Sequence, residues 1–142
     1  MGMNSPITIL CEYLEASGTE LYDLVNVSGI PYVGRLRAAQ GWVNDTPAVI
    51  VQPQAATSEV HAPVITDRVV IKCYGGSSDP KDAEDVFEAV YSILHGISAE
   101  STSTGGIVLA FLEVVSFMIE PDTNWPVYVA TFRVSTTYSI GD

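Results

Sequence analysis

The chain has 142 residues, of which 47% are hydrophobic and only 16% charged, against about 25% charged in a typical soluble domain. Seventeen acids against six bases leave a net charge of −11. That balance excludes tight binding to a nucleic-acid backbone or an anionic membrane surface, since both need clustered Lys and Arg.

Read in chain order, Pro6 sits at the start of a helix after a capping Ser5, and Ile7, Leu10, Cys11 and Leu14 recur at helical spacing. Gly18 ends it. From Thr19 to Val27, Leu21, Leu24 and Val25 allow another helical turn, and Ser28-Gly29-Ile30-Pro31 is a break. Tyr32 to Ala39 reads as a short strand or an irregular edge. Ala48 to Gln52 is a β-prone run bounded by Pro47 and Pro53. Gln54 to Pro63 is small and polar and reads as a loop.

The strand expected over Val64–Tyr74 alternates, with Ile65, Val69, Ile71 and Cys73 on one face and Thr66, Arg68, Lys72 and Tyr74 on the other. Gly75 to Ser78 turns the chain. Asp79 is then a good N-cap and Pro80 a good first helical residue. Asp82, Glu84 and Asp85 suit the positive end of a helix dipole. Ala83, Val86, Phe87, Val90, Tyr91 and Leu94 make one apolar stripe. Gly96 stops the helix, and His95 sits where partial positive charge helps.

Ile97 to Gly106, rich in Ser, Thr and Gly, reads as a flexible loop. Ile107 to Glu120 is almost continuously apolar, residues 121–126 reverse the chain, and Val127 to Ser139 alternates. Straight strands of this length reach about 40 Å, roughly twice the usual length. Two readings stand. The hairpin overhangs and offers unpaired backbone to a neighbour, or it bends through a bulge and covers its own core.

The expected fold is therefore one α+β domain over residues 1–142. It has a mixed or antiparallel sheet of about four strands, a long C-terminal hairpin, and two main helices on one face. No segment approaches the roughly 18 apolar residues of a membrane span, and the first residues lack a basic secretory n-region. Cys11 and Cys73 read as small buried hydrophobes in a reducing cytoplasm.

Catalytic chemistry finds no frame. GGSSDP precedes a helix but lacks GK[ST], and acids already occupy the first turns, so it reads as a strand-to-helix turn. His61 falls in an expected loop and His95 at a helix end, and Ser77 has no GxSxG setting. Cys11, His61, Cys73 and His95 have no metal-ligand spacing. The expectation is no catalytic residue, no cofactor, no metal and no enzyme activity.

The candidate residues belong to an interface. Trp42 and Trp125 lie in loops, where an aromatic either anchors a partner or folds back as a lid over the core. Tyr128 follows the hairpin turn. Arg35 and Arg37 are paired bases in a base-poor chain, either solvated or facing a neighbouring subunit's acids. Sparse charge favours an oligomer, because apolar surface outside a core marks contact. A monomer coated in Ser and Thr is the alternative.

The order ITILCEYLEAS, VIVQP, DRVVIKCYGGSSDPKDAEDVFEAVYSILHG, a Gly/Ser/Thr-rich link and a long terminal hairpin resembles the tail-terminator or tail-completion proteins of long-tailed bacteriophages. The likeness lies in the order of elements and covers nearly the whole chain. It implies a small α+β subunit of the virion, assembled in the host cytoplasm into a ring, usually of six. Such a ring caps the tail tube protein and provides the surface for a neck or head-completion protein. DNA would pass through its channel unbound, repelled by acidic walls. Two alternatives stand beside it: a head-completion or connector protein of the neck, and a small ligand-binding or hydrolytic α+β domain.

Overall fold

The structure, a computed structural model, describes residues 6–16, 18–27, 29–37, 42, 46–54, 59–61, 64–101, 105–121 and 124–138. In chain order the elements are α1 (Pro6–Leu14), α2 (Glu20–Val25), β1 (Asn26–Val27), β2 (Ile30–Pro31), β3 (Val33–Arg35), β4 (Ala48–Pro53), β5 (Glu59–His61), β6 (Val64–Tyr74), α3 (Pro80–Leu94), β7 (Ile97–Ser101), β8 (Gly105–Ile119) and β9 (Pro126–Tyr138).

The fold is α+β with a mixed sheet, as expected, and the expected strands form its centre. The path across the main sheet is β3-β4-β6-β9-β8-β7, and β5 pairs with β6 beyond the end of β4. Among the described residues only β3 and β4 are parallel. Among the described residues the sheet has seven strands, more than the four or so read from pattern, because short strands extend its margins. His61 belongs to one of them, β5, and not to a loop. Ile97–Ser101 is another: β7 pairs antiparallel with β8 where a flexible loop is expected. An edge strand needs only backbone partners, so Ser98 and Glu100 give no hydrophobic signal.

All three helices cover one face. Ile9, Leu10, Cys11 and Leu14 of α1, Leu21 and Val25 of α2, and Val86, Ala89, Val90 and Leu94 of α3 pack on that face. They meet Val49, Val51, Val69, Ile71, Cys73, Ala130, Phe132 and Val134 of the sheet. Both cysteines are buried and free. Burial pushes the Cys11 thiol up to about 12 and raises Cys73 as well, as expected when the charged form loses water. The opposite face carries a smaller cluster at one end: Ile50, Tyr74 and Val127, with Trp42, Trp125 and Val129 against them.

The caps of α3 follow the residue order. Asp79 accepts a bond from Lys81 N at 3.0 Å and Pro80 takes the first helical position. Ser77 donates to Asp82 at 2.5 Å and accepts from Asp79 N at 3.1 Å. These side chains tie the turn together internally, in line with a plain strand-to-helix connection. Gly75 is required there, since a Cβ would run into the Asp82–Ala83 backbone. The capping Ser5 lies outside the described residues.

Candidate functional site

The surface that stands out is the outer half of β8. Within β8 the register with β9 slips between Ile107 and Leu109 and again between Leu112 and Val114. Val108 and Glu113 are thus the extra residues of two β-bulges, which bend and twist a strand. The bulges of the bent-hairpin reading occur, whereas the hairpin does not project from the sheet as an arm, because β9 pairs with β6 from Val127 to Thr137.

The inner half of β8 has a strand on either side and is covered on its helix face, while Val108 and Leu109 stay exposed. β7 pairs with Gly106–Ala110, Gly96 N donates to Ala110 O at 2.8 Å, and Ile107 and Ala110 are buried. Leu112 N donates to His95 Nδ1 at 3.0 Å. His95 therefore ends the β7 side by accepting a hydrogen bond, a contact that its place at the end of α3 does not announce.

Beyond Leu112 no strand among the described residues lies outside β8. Backbone direction alternates along an antiparallel ladder. Glu120 N donates to Trp125 O at 2.9 Å across the hairpin, so Glu120, Met118 and Ser116 turn their polar groups towards β9. Val115, Phe117 and Ile119 then turn theirs outward. Pro126, which has no N–H to offer, faces Ile119 at one of these outward positions.

The side chains there are apolar on both faces. On the helix side Val115 faces Ala130, and Phe117 faces Tyr128. On the other side Val114 faces Thr131, and Met118 faces Val127. All are exposed, Val114 the most at 60% and Phe117 at 45%. Contiguous apolar surface of this kind marks a contact site.

An aromatic row continues the patch over the helix side. The Phe117 ring lies 5.1 Å from Tyr128, Tyr128 stacks on Phe87 at 5.6 Å, and Phe87 lies 6.1 Å from Tyr91. Tyr91 stacks on His95 at 4.6 Å. The Tyr128 hydroxyl reaches Glu84 at 3.3 Å. Burial first, then the Glu84 and Glu88 carboxylates, raise the Tyr128 phenol.

The candidate residues fall in three places. Tyr128 is in the aromatic row. Trp42 and Trp125 meet each other at 5.7 Å and Tyr74 at 5.2 and 6.2 Å on the opposite sheet face. Trp42 Nε1 donates to Thr46 O at 2.7 Å. Both indoles are half-buried lids that still present an outer surface. Burial, and after it the Glu120 carboxylate, raise the Tyr74 phenol beneath them.

Arg35 and Arg37 are at the far edge of the sheet, both exposed. Arg35 pairs with Glu15 of its own chain at 2.9 Å. Between them Leu36 has φ +70° and is 54% exposed, a residue the sequence reading passed over. Phe117, Phe87 and Tyr91 also escaped notice as surface groups. Phe87 and Tyr91 look like core in the helical stripe, yet they sit on its shoulder, half-buried and exposed respectively.

Among the described residues no group of three or more His, Cys, Asp or Glu is placed to hold a metal ion. None of the described helices is long and apolar enough to cross a membrane.

No protein-family profile matches the chain, and no curated protein matches it. Among solved structures, a chain from the virion of a native gene transfer agent particle is similar, with a TM-score of 0.70 and 16% identity. The match covers 94% of this chain and 95% of that one. At this identity the likeness establishes a common fold over nearly the full length of both chains.

Proposed function

We propose that this chain is a structural virion protein, a tail terminator whose copies form a ring at the end of the tail tube, hexameric as in the family it resembles. The observation that carries the proposal is the unpaired outer half of β8. An edge of seven residues, from Glu113 to Ile119, with apolar side chains on both faces is what a subunit needs to join a neighbour, and it is a liability in a lone monomer. The near end-to-end fold likeness to a virion chain supports the same reading.

The chemistry is that of shape and contact. Half-buried aromatics supply contact area at low conformational cost. The net charge of −11 opposes DNA adhesion, which suits a channel through which DNA slides. In this reading the tail tube protein meets one face of the ring and a neck or head-completion protein the other, and the protein has no catalytic role.

The test is to remove the protein from a particle-producing system and image the products. Tail tubes of uncontrolled length are expected. Normal tails beside separate heads would instead assign the protein to the neck as a head-completion or connector subunit. Unaltered particles would refute both roles.

A further inference from the structure

The edge strand β3 and the outer half of β8, which runs past the end of the edge strand β7, are related by register. Val33 pairs with Val49, Val49 with Cys73, Cys73 with Tyr128, and Tyr128 with Phe117. Two residues on, Arg35 leads through Val51, Ile71 and Ala130 to Val115. The short edge β3 and the free part of β8 therefore lie on the same rows, at opposite margins of one sheet. They also run in opposite directions, because β3 is parallel to β4 and three antiparallel steps separate β4 from β8.

We infer that β3 of one copy, with the Arg35-Leu36-Arg37 tip, docks on the free outer edge of β8 of the next copy, extending the sheet from subunit to subunit. A shift of one copy sideways by the width of its sheet brings the two edges together antiparallel. Val33–Arg35 then lies beside Phe117–Val115, whose outward N–H and C=O groups need partners. Leu36 comes to Val114, the most exposed large apolar residue among those described. Arg37 comes to the level of Glu113, which already holds Arg68 at 2.8 Å, so opposite charges meet at the rim.

Leu36 supports the match independently. A leucine with positive φ is costly, and such conformations persist where they present a group for use. Its carbonyl is held by Gln52 Nε2 at 2.9 Å and its N–H by Val51 O at 2.8 Å. These bonds fix an apolar side chain outward on a strained backbone. The joint is heterologous, one surface meeting a different one, so repeated copies close into a ring when the rotation per step closes. It rests on the ring reading above in that its partner is another copy of the chain.

Cysteine pairing tests it. Leu36→Cys and Val114→Cys are made as separate proteins, and each is oxidised alone and after mixing under assembly conditions. The native Cys11 and Cys73 are buried and give no background. A disulfide-linked dimer only in the mixture is the expected result. A covalent dimer of Val114→Cys alone would show β8 meeting β8 about a two-fold axis and overturn the proposal. Rings visible by electron microscopy with no crosslink would also overturn it, while leaving the ring reading intact. Monomers throughout, with no rings, would sink both. As a second measure, Val114→Lys should shift the light-scattering mass from oligomer to monomer while its far-UV circular dichroism spectrum stays that of the parent. An unshifted mass would count against the joint.

Discussion

The two halves of β8 have similar apolar composition and opposite surroundings. The first half has β7 on its outer side and buries Ile107 and Ala110 under the helices. The second has β9 on one side only and exposes Val114, Val115, Phe117, Met118 and Ile119. Residue type alone thus does not decide burial; the neighbour does. A run that is apolar at successive positions is suited to cover on both faces, and within the subunit the outer half has that cover on neither. Its composition fits the interior of an assembly better than the surface of a monomer.

The comparison can be broken or sharpened by substitution and by pH. The largest effect is expected in the enclosed region, where Phe132 is fully buried in the main core. Phe132→Ala should destabilise the fold by about 3–5 kcal/mol, read from urea unfolding, through lost burial and the cavity left behind. A loss below ~1 kcal/mol would mean the core is far looser than the packing indicates.

Alkaline pH probes the same enclosed side more gently. Cys11 is raised from 9.0 to about 12, with burial the main cause. Between those values the unfolded thiol releases its proton while the folded one keeps it, so the folded state binds more protons. Stability is then full below about pH 9 and declines as pH rises towards 12. The urea midpoint should fall between pH 8 and pH 10.5, and the fall should shrink in Cys11→Ala. An equal fall in that variant would assign the loss to other groups.

The smallest effect belongs to the open half. Val114→Ser removes a side chain that is 60% exposed and should change monomer stability by less than ~0.5 kcal/mol. A loss above ~2 kcal/mol, measured on the monomer, would show that the outer half is part of the subunit's own core and erase the contrast.

Much of the architecture was readable from residue order because local signals agreed. Asp79, Pro80 and Gly96 bound α3 as expected, and alternation set β6 at Val64–Tyr74. β7 has no periodic signal because Ser and Glu follow Ile97 on an edge strand; pairing with β8 and the packing of Ile97 against the core hold it there. The bulge at Glu113 had a visible mark in retrospect: one charged residue interrupts an apolar run, and it reaches Arg68 two strands away. The aromatic row was beyond sequence reasoning, since Phe87, Phe117 and Tyr128 come from three elements and meet only through the fold. Leu36 was missed because nothing in the residue types announces a left-handed leucine.

The position of β9 bears on how the molecule is made. It follows both β6 and β8 in the chain, yet it lies between them, along the full length of β6. A nascent chain therefore holds two long strands with no partner between them until synthesis has passed Tyr138. Pairings this distant in sequence form slowly and leave edges exposed in the meantime. The outer half of β8 therefore takes a defined shape only when this central strand arrives, and a chain cut short before β9 leaves both β6 and β8 without it.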